Sequence, residues 1–374
     1  MKNKIINSFI KTIKKPWSQI DEQTTTGYVN VYNLIELSCN YLPKPIKKGL
    51  FSFIQKISMF LSKFLLVISQ FSLTIYKVQG KEKHSKEKLT ILFLSKENPH
   101  PYPANILFSN KPKIETIGKI SIRNIKKKLD NLSSEIDAVF IKTDKLYSGY
   151  FEKQGFTVIP EWISMIIDTS KAFENIYKNF TKSAKEDVRK VKKYGYTYEI
   201  SGDYDKLKYF YDKMYLPYMN YRHGEAAVLS NFHALRLLFE SNGKLMMIKR
   251  DDEYVFGAMF SLIRDKVKAI YAGVIVEKAE FLKRGAGAAS YYFLLQWAKK
   301  NDIKLVDFGS CRPFFNTGVF QYKRKWGTTI SKTDSPYHGI YAFKSCKDSK
   351  AFESFLLNNP FVYLENNQLK IVDN

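Results

Sequence analysis

The segment from Tyr271 to Gly327 carries four short patterns in order. They are Tyr271-Ala272-Gly273, Arg284-Gly285-Ala286-Gly287-Ala288-Ala289, Asp307-Phe308-Gly309, and Gly318-Val319-Phe320-Gln321-Tyr322-Lys323-Arg324-Lys325-Trp326-Gly327. An apolar run from Val267 to Val276 predicts a strand, and small residues then open a helix in which Tyr292, Leu294, Leu295 and Trp297 recur at helical spacing. The order is strand, glycine turn, helix, strand. A helix that begins on Gly285, Ala286 and Gly287 leaves its first backbone N–H groups uncovered by side chains, and the helix dipole adds partial positive charge at that end. Such an end suits a phosphate group. Glycines there equally serve close packing of the helix against its neighbours.

Arg284-x-x-Gly287-x-Ala289 resembles the Q/R-x-x-G-x-G/A loop with which acyltransferases of the GNAT superfamily hold the pyrophosphate of an acyl-CoA. Asp307-Phe308-Gly309 and Tyr322-Lys323-x-x-Trp326-Gly327 are similar to the D-F-G and F-K-x-x-F-G signatures of the FemAB-like branch. Members of that branch transfer aminoacyl or acyl groups onto amines, including amines of cell-wall precursors. The resemblance covers about residues 90 to 345, with its specific motifs in the second half. It implies an α/β protein of the α+β type: tandem GNAT-like lobes, mixed central sheets flanked by helices, and a helical apolar N-terminal extension. The expected divisions are a basic segment at 1–48, an apolar helical segment suited to a membrane at 49–80, a degenerate first lobe at 88–180, a catalytic second lobe at 181–345 and a tail at 346–374.

The resemblance also implies site residues. Arg284, Gly285, Ala286, Gly287 and Ala289 would hold the donor. Lys323 would supply a cation for the developing oxyanion, although it also belongs to a basic run that solvation alone would explain. Asp307 either orients or deprotonates the incoming amine, or caps the loop after its strand. Tyr271, with Tyr291 or Tyr292, would line the acceptor cleft or protonate the leaving group. Arg222, Tyr322 and Trp326 would contact the acceptor, and backbone N–H groups near Ala272 to Val274 would meet the oxyanion. Cys311 follows closely, yet no His or Asn/Asp pattern supports a thiol nucleophile. Two donors fit: acyl-CoA, favoured by the Arg284 loop and preferred here, and aminoacyl-tRNA, favoured by the FemAB signatures and the basic surface. The acceptor is expected to be an amine-bearing molecule such as a lipid-linked or cell-wall precursor. A non-catalytic, membrane-associated binding module is the reading from a different class.

At 374 residues the chain has room for two domains, and 25 Tyr and 28 Phe argue for buried cores rather than disorder. The net charge of +24 points to an anionic partner, whether tRNA, a phosphorylated lipid or an anionic membrane face. Only nine of the 60 basic residues are arginine, however, so the lysine excess fits a composition bias equally well. Cys39, Cys311 and Cys346 are too few and too scattered for a disulfide framework or a zinc site, which suits a reducing cytoplasm. His84, His100, His223, His233 and His338 form no metal-ligand pair, and no metal is expected.

Residues 1–48 lack the pattern of a cleavable signal peptide. From Ile57 to Tyr76 an apolar run reaches bilayer length, but Lys63, Gln70 and Thr74 share one helical stripe. A lysine at mid-span costs about 2.5 to 3.5 kcal/mol on insertion scales. An interfacial helix at the cytoplasmic face is therefore preferred over a core-packed hairpin or a true span. Lys81 to Lys88 reads as a charged linker. Strands are expected at Leu89–Leu94, Ala138–Ile141, Thr157–Ile159 and Ile163–Ile167, and helices at Ile120–Leu132 and Tyr147–Gln154. The basic helix Lys182–Lys193 ends at Gly195. After helices at Tyr204–Met219 and His233–Glu240, Lys244–Lys249, Val255–Leu262 and Val267–Val276 predict a three-stranded meander.

Overall fold

The computed structural model describes residues 63–64, 67–68, 71–96, 102–129, 135–223, 229–335 and 338–372. Its strands are, in order, β1 (Ser72–Lys81), β2 (Lys88–Ser95), β3 (Lys113–Ser121), β4 (Ala138–Asp144) and β5 (Thr157–Pro160). Next come β6 (Ile163–Asp168), β7 (Thr197–Ser201), β8 (Gly243–Arg250), β9 (Glu253–Ile263) and β10 (Lys266–Val274). Last are β11 (Leu305–Cys311), β12 (Thr329–Lys332), β13 (Gly339–Ser345), β14 (Phe361–Glu365) and β15 (Gln368–Val372). They form two mixed sheets flanked by helices, in two units. The first unit takes the described residues up to Trp162 with Pro313–Asn316 and those from Asp334 on; the second is Ile163–Arg312 with Thr317–Thr333.

The first unit's sheet runs β15-β14-β5-β13-β4-β2-β1-β3. Its β2 and β4 are parallel, Ile91 opposite Ala138, and both are buried nearly end to end. Phe140 and Phe343 stack at 5.4 Å, and the helix Lys350–Asn358 sets Phe352 and Phe355 against Phe140. The residues expected to be a tail are thus part of this sheet and its cover. The expected apolar helix is corrected at its end, because residues from Ser72 onward are strand. Leu73, Ile75 and Val78 are buried in a sheet, and β-branched residues suit that surface. Half of the Ile57–Tyr76 run, with residues 1–56, lies outside the described residues. Lys63 is described, and it pairs with Asp144, which is 1% exposed. Among the described residues no helix is long and apolar enough to cross a membrane.

The expected linker at Lys81–Lys88 is a hairpin turn. Glu82 is fully buried there, accepting bonds from the His84 and Ser85 N–H groups, the Ser85 hydroxyl and the Ser354 hydroxyl. A carboxylate so surrounded is held below its ordinary pKa by these bonds, against a desolvation cost that is the largest single influence. The expected helix at Ile120–Leu132 starts later, since β3 continues to Ser121 and the helical turns run Ile122–Asn124 and Ile125–Leu129. β5 and β6, read from sequence as neighbours in one lobe, join different sheets.

The second sheet runs β12-β6-β11-β10-β9-β8-β7. β7 to β10 are an antiparallel meander, as the hydrophobic runs predict. The helices of this unit include α1 (Lys182–Lys193), α2 (Ala286–Lys300) and α3 (Gly318–Arg324). α1 has Thr181 as N-cap, its hydroxyl accepting from the Ala184 N–H, and buries Ala184, Val188 and Val191 on one face. The helix expected at Tyr204–Met219 spans Tyr204–His223, with a π-helical turn over Phe210–Tyr215.

α2 connects β10 to β11, which lie parallel for only three residue pairs, from Lys266 opposite Leu305 to Lys268 opposite Asp307. Beyond them both strands change register toward their outer neighbours: β10 between Ala269 and Tyr271, β11 between Asp307 and Ser310. Gly309 sits in this break at φ +83°, and a Cβ there would lie 2.6 Å from the Ala269 carbonyl oxygen. Both constraints demand glycine. Gly309→Ala is expected to destabilise the protein by about 1–3 kcal/mol or more. Gly318→Ala, where a Cβ meets nothing within 4 Å, is the control and should stay within about 0.5 kcal/mol of wild type in denaturant unfolding.

Candidate active site

Where β10 and β11 part, a cavity of about 160 Å³ opens. Met246, Phe260 and Leu294 give it apolar walls, while Tyr271, Ser290 and Lys323 give it polar ones. Lys323 reaches it from α3 and is 5% exposed. Its ammonium group donates to the carbonyl oxygens of Gly309 at 2.8 Å and Ser310 at 2.9 Å. Burial brings its pKa down to about 8, because a desolvated ammonium is disfavoured.

The Asp-Phe-Gly pattern is accounted for residue by residue. Asp307 is fully buried, and its Oδ1 accepts from the Gly309 N–H at 2.8 Å. Its Oδ2 makes no hydrogen bond but lies 3.3 Å from Lys266 Nζ, an ion pair. Of the two expected uses, the cap on the following loop is therefore present. Phe308 stacks on Tyr291 at 4.1 Å with the rings 6° from parallel. Gly309 makes the break itself.

Tyr271 shares a 2.8 Å hydrogen bond with the Ser230 hydroxyl, and burial raises its pKa. Burial raises Tyr291 well beyond its ordinary range, with Cys311 and Asp307 adding to the shift. The Cys311 thiol is 1% exposed and pushed up to about 11, chiefly by burial, so it is no ready nucleophile. Tyr322 lies 5.6 Å from Tyr291 between ring centroids, and its phenol too is raised by burial. Lys325 sits 4.1 Å above the Tyr322 ring and pairs with Asp187 of α1 at 2.5 Å.

The glycine turn separates its two glycines. Gly285 has φ +99°, so its conformation requires glycine. At Gly287 a Cβ would meet only ordinary contacts of 3.6 to 3.9 Å, the Tyr322 hydroxyl among them. Packing explains the first glycine and not the second. Ala286 and Ala289 point into the core, leaving only their backbone for a ligand. Arg284 is exposed and lies 5.2 Å over the Phe281 ring, with Arg250 5.1 Å from the same ring. α1 packs beside this turn, its Lys190 Cβ 3.3 Å from where a Gly285 Cβ would stand.

The fold thus brings Tyr271 and Lys323 to one cavity, with Asp307 beside it, and places Arg284 to Ala289 at the start of α2. Two expected acceptor contacts fall elsewhere. Trp326 is fully buried against Phe180 at 5.1 Å and near Phe308 at 6.3 Å, so it is a core residue and not a wall of the cavity. Arg222 is exposed near the end of its helix, donates to the Tyr218 hydroxyl and does not line the cavity. Sequence reasoning missed Ser290, Met246 and Lys266. Ser290 was readable as four residues beyond Ala286 on one helix; Lys266 comes to Asp307 only through the strand pairing. Among the described residues no cluster suits a metal ion.

No family model and no curated protein matches the chain. Among solved structures it is similar to FemX, at 15% identity and a TM-score of 0.40, over 75% of this chain and 90% of that one. It is similar to L-PGS from Bacillus licheniformis at 11% identity and a TM-score of 0.36, over 75% and 88% of the two chains. A tandem GNAT protein from the clavulanic acid biosynthesis pathway matches at 11% identity and a TM-score of 0.30, over 65% of this chain and 78% of that one. Two mixed sheets flanked by helices, the second with an antiparallel meander that parts from a parallel strand, agree with the α/β architecture expected from the sequence.

Proposed function

We propose that the protein is an acyltransferase that moves an acyl or aminoacyl group from an acyl-CoA to an amine. The observation that carries this reading is the fork between β10 and β11. Among the described residues, one edge of β10 has no strand partner from Ala269 to Val274, a length of about 17 Å at 3.3 Å per residue. That edge can hydrogen-bond an extended donor arm bearing amides, as a sheet edge takes up a peptide. It leads from the side of the sheet where α2 begins to the cavity that holds Lys323. A pyrophosphate at the start of α2 would meet uncovered N–H groups, with Arg284 and the basic α1 alongside. The thioester would then lie near Lys323, whose N–H can meet the developing oxyanion.

Aminoacyl-tRNA is the second donor, and the placement of α1 against Gly285 favours it. Lys182, Arg189, Lys192 and Lys193 are exposed on that helix, and Lys190 lies against the turn expected to bind phosphate.

Isothermal titration of the intact protein with acetyl-CoA tests the first donor. Wild type should bind, and Gly287→Glu should not, because a carboxylate there opposes the pyrophosphate. At a hundredfold excess over Kd the ligand should stabilise wild type by about 2.7 kcal/mol, seen as a raised Tm. Absence of binding in both proteins would turn the reading to charged tRNA, tested by filter binding. Once transfer is measured, Cys311→Ala should keep it, since a thiol buried at a pKa of about 11 forms no acyl intermediate. Loss of transfer with intact folding would return Cys311 to the mechanism.

A further inference from the structure

Resting on the transferase reading, we propose that Lys323 acts in its neutral form as the base that takes the proton from the incoming amine. Two of its four tetrahedral positions point to the Gly309 and Ser310 carbonyls, and a third is its own Cε. The fourth is left for the cavity that Lys323 lines. Neutral, the group keeps both donated bonds and presents a lone pair at that position; protonated, it presents a third N–H.

The surroundings make the neutral form far more accessible than in an ordinary lysine. Both partners of the amine are uncharged carbonyls. Asp307, the carboxylate that acts on it, is engaged by Lys266 and by the Gly309 N–H. Lys268 on β10 opposes a further positive charge, while Cys311 and Asp307 on β11 act in the other direction and are outweighed by burial. The other ionisable groups near the cavity are unsuited to the task at neutral pH. Tyr271, Tyr291 and Cys311 are all raised, so their basic forms appear only in alkali. A general base works best with its pKa near the working pH, and Lys323 at about 8 meets that requirement.

The step balances. Lys323 Nζ takes a proton from the amine as its nitrogen attacks the thioester carbonyl and the C–N bond forms. The ammonium so produced faces the oxyanion. When the C–S bond breaks, the departing thiolate recovers the proton, leaving an amide, a free thiol and neutral Lys323.

The experiment uses the intact protein with acetyl-CoA and hydroxylamine, an amine already unprotonated at neutral pH. The transfer rate should rise with pH and level off above about 8, the neutral base being the active form. Lys323→Arg keeps the positive charge without an available lone pair and should lose at least about 100-fold in rate while still binding acetyl-CoA. A rate that falls above pH 8, or an arginine variant that stays active, would assign Lys323 as a permanent cation and overturn the inference alone. Acetic anhydride labelling with peptide mass mapping gives a readout free of catalysis. Lys323 should reach half its maximal labelling rate near pH 8, well below the ordinary lysine range. A labelling rate that rises only in that ordinary range would also overturn it. Absence of both acetyl-CoA binding and transfer would instead remove the acyl-CoA reading, and with it this assignment of Lys323 to thioester chemistry.

Discussion

Two parallel strands that pair for three residues and then separate create the site. A sheet ordinarily satisfies the backbone of each interior strand on both sides, and an unpaired stretch inside a fold has to be filled or put to use. Here the separation is enforced from both directions. β10 shifts register against β9 and β11 against β6, so each strand remains paired on its outer side. Gly309 makes the divergence sterically possible and Asp307 anchors it, one carboxylate oxygen on the Gly309 N–H and the other facing Lys266. Lys323 closes the far side by binding the carbonyls that the divergence exposes.

Much of this was legible in the chain. Strand alternation and glycine placement located the meander, α1, α2 and the order strand, turn, helix, strand, because local pattern determines local structure. The Asp-Phe-Gly and Tyr-Lys patterns marked the residues that meet at the fork. What pattern could not supply was partnership. Trp326 stands in a motif beside Lys323, and only the packing reveals that it fills the core. Lys266 carries no signature at all, yet it is the counter-charge of the buried aspartate. The run from Ile57 looked uniformly helical because apolar composition does not distinguish a helix from a buried strand when the residues are β-branched. Ser72 onward became strand because β2 and β3 offer it partners on both sides.

Charge tells a similar story. Counted over the chain, the lysines suggest an anionic partner, but several of them are occupied within the fold. Lys63 holds Asp144, Lys325 holds Asp187, Lys206 and Lys249 share Glu199, and Lys266 answers Asp307. Glu199 is brought down to about 2 chiefly by its hydrogen bonds to those two lysines. Net charge therefore overstates the cationic surface free to meet a ligand, and the placement of α1 is a better guide than the total.

The first unit's sheet is finished by strands that arrive after the second unit has been written. β13 lies between β4 and β5, so a strand from near the C-terminus occupies the middle of a sheet begun some 260 residues earlier, at β1. A ribosome that emits the chain from its N-terminus releases every strand of the second unit before it releases β13. The second unit can therefore complete its sheet while the first still lacks a central strand, with β4 and β5 exposing unpaired edges until β13 emerges. For this chain, the usual expectation that the N-terminal unit matures first is inverted.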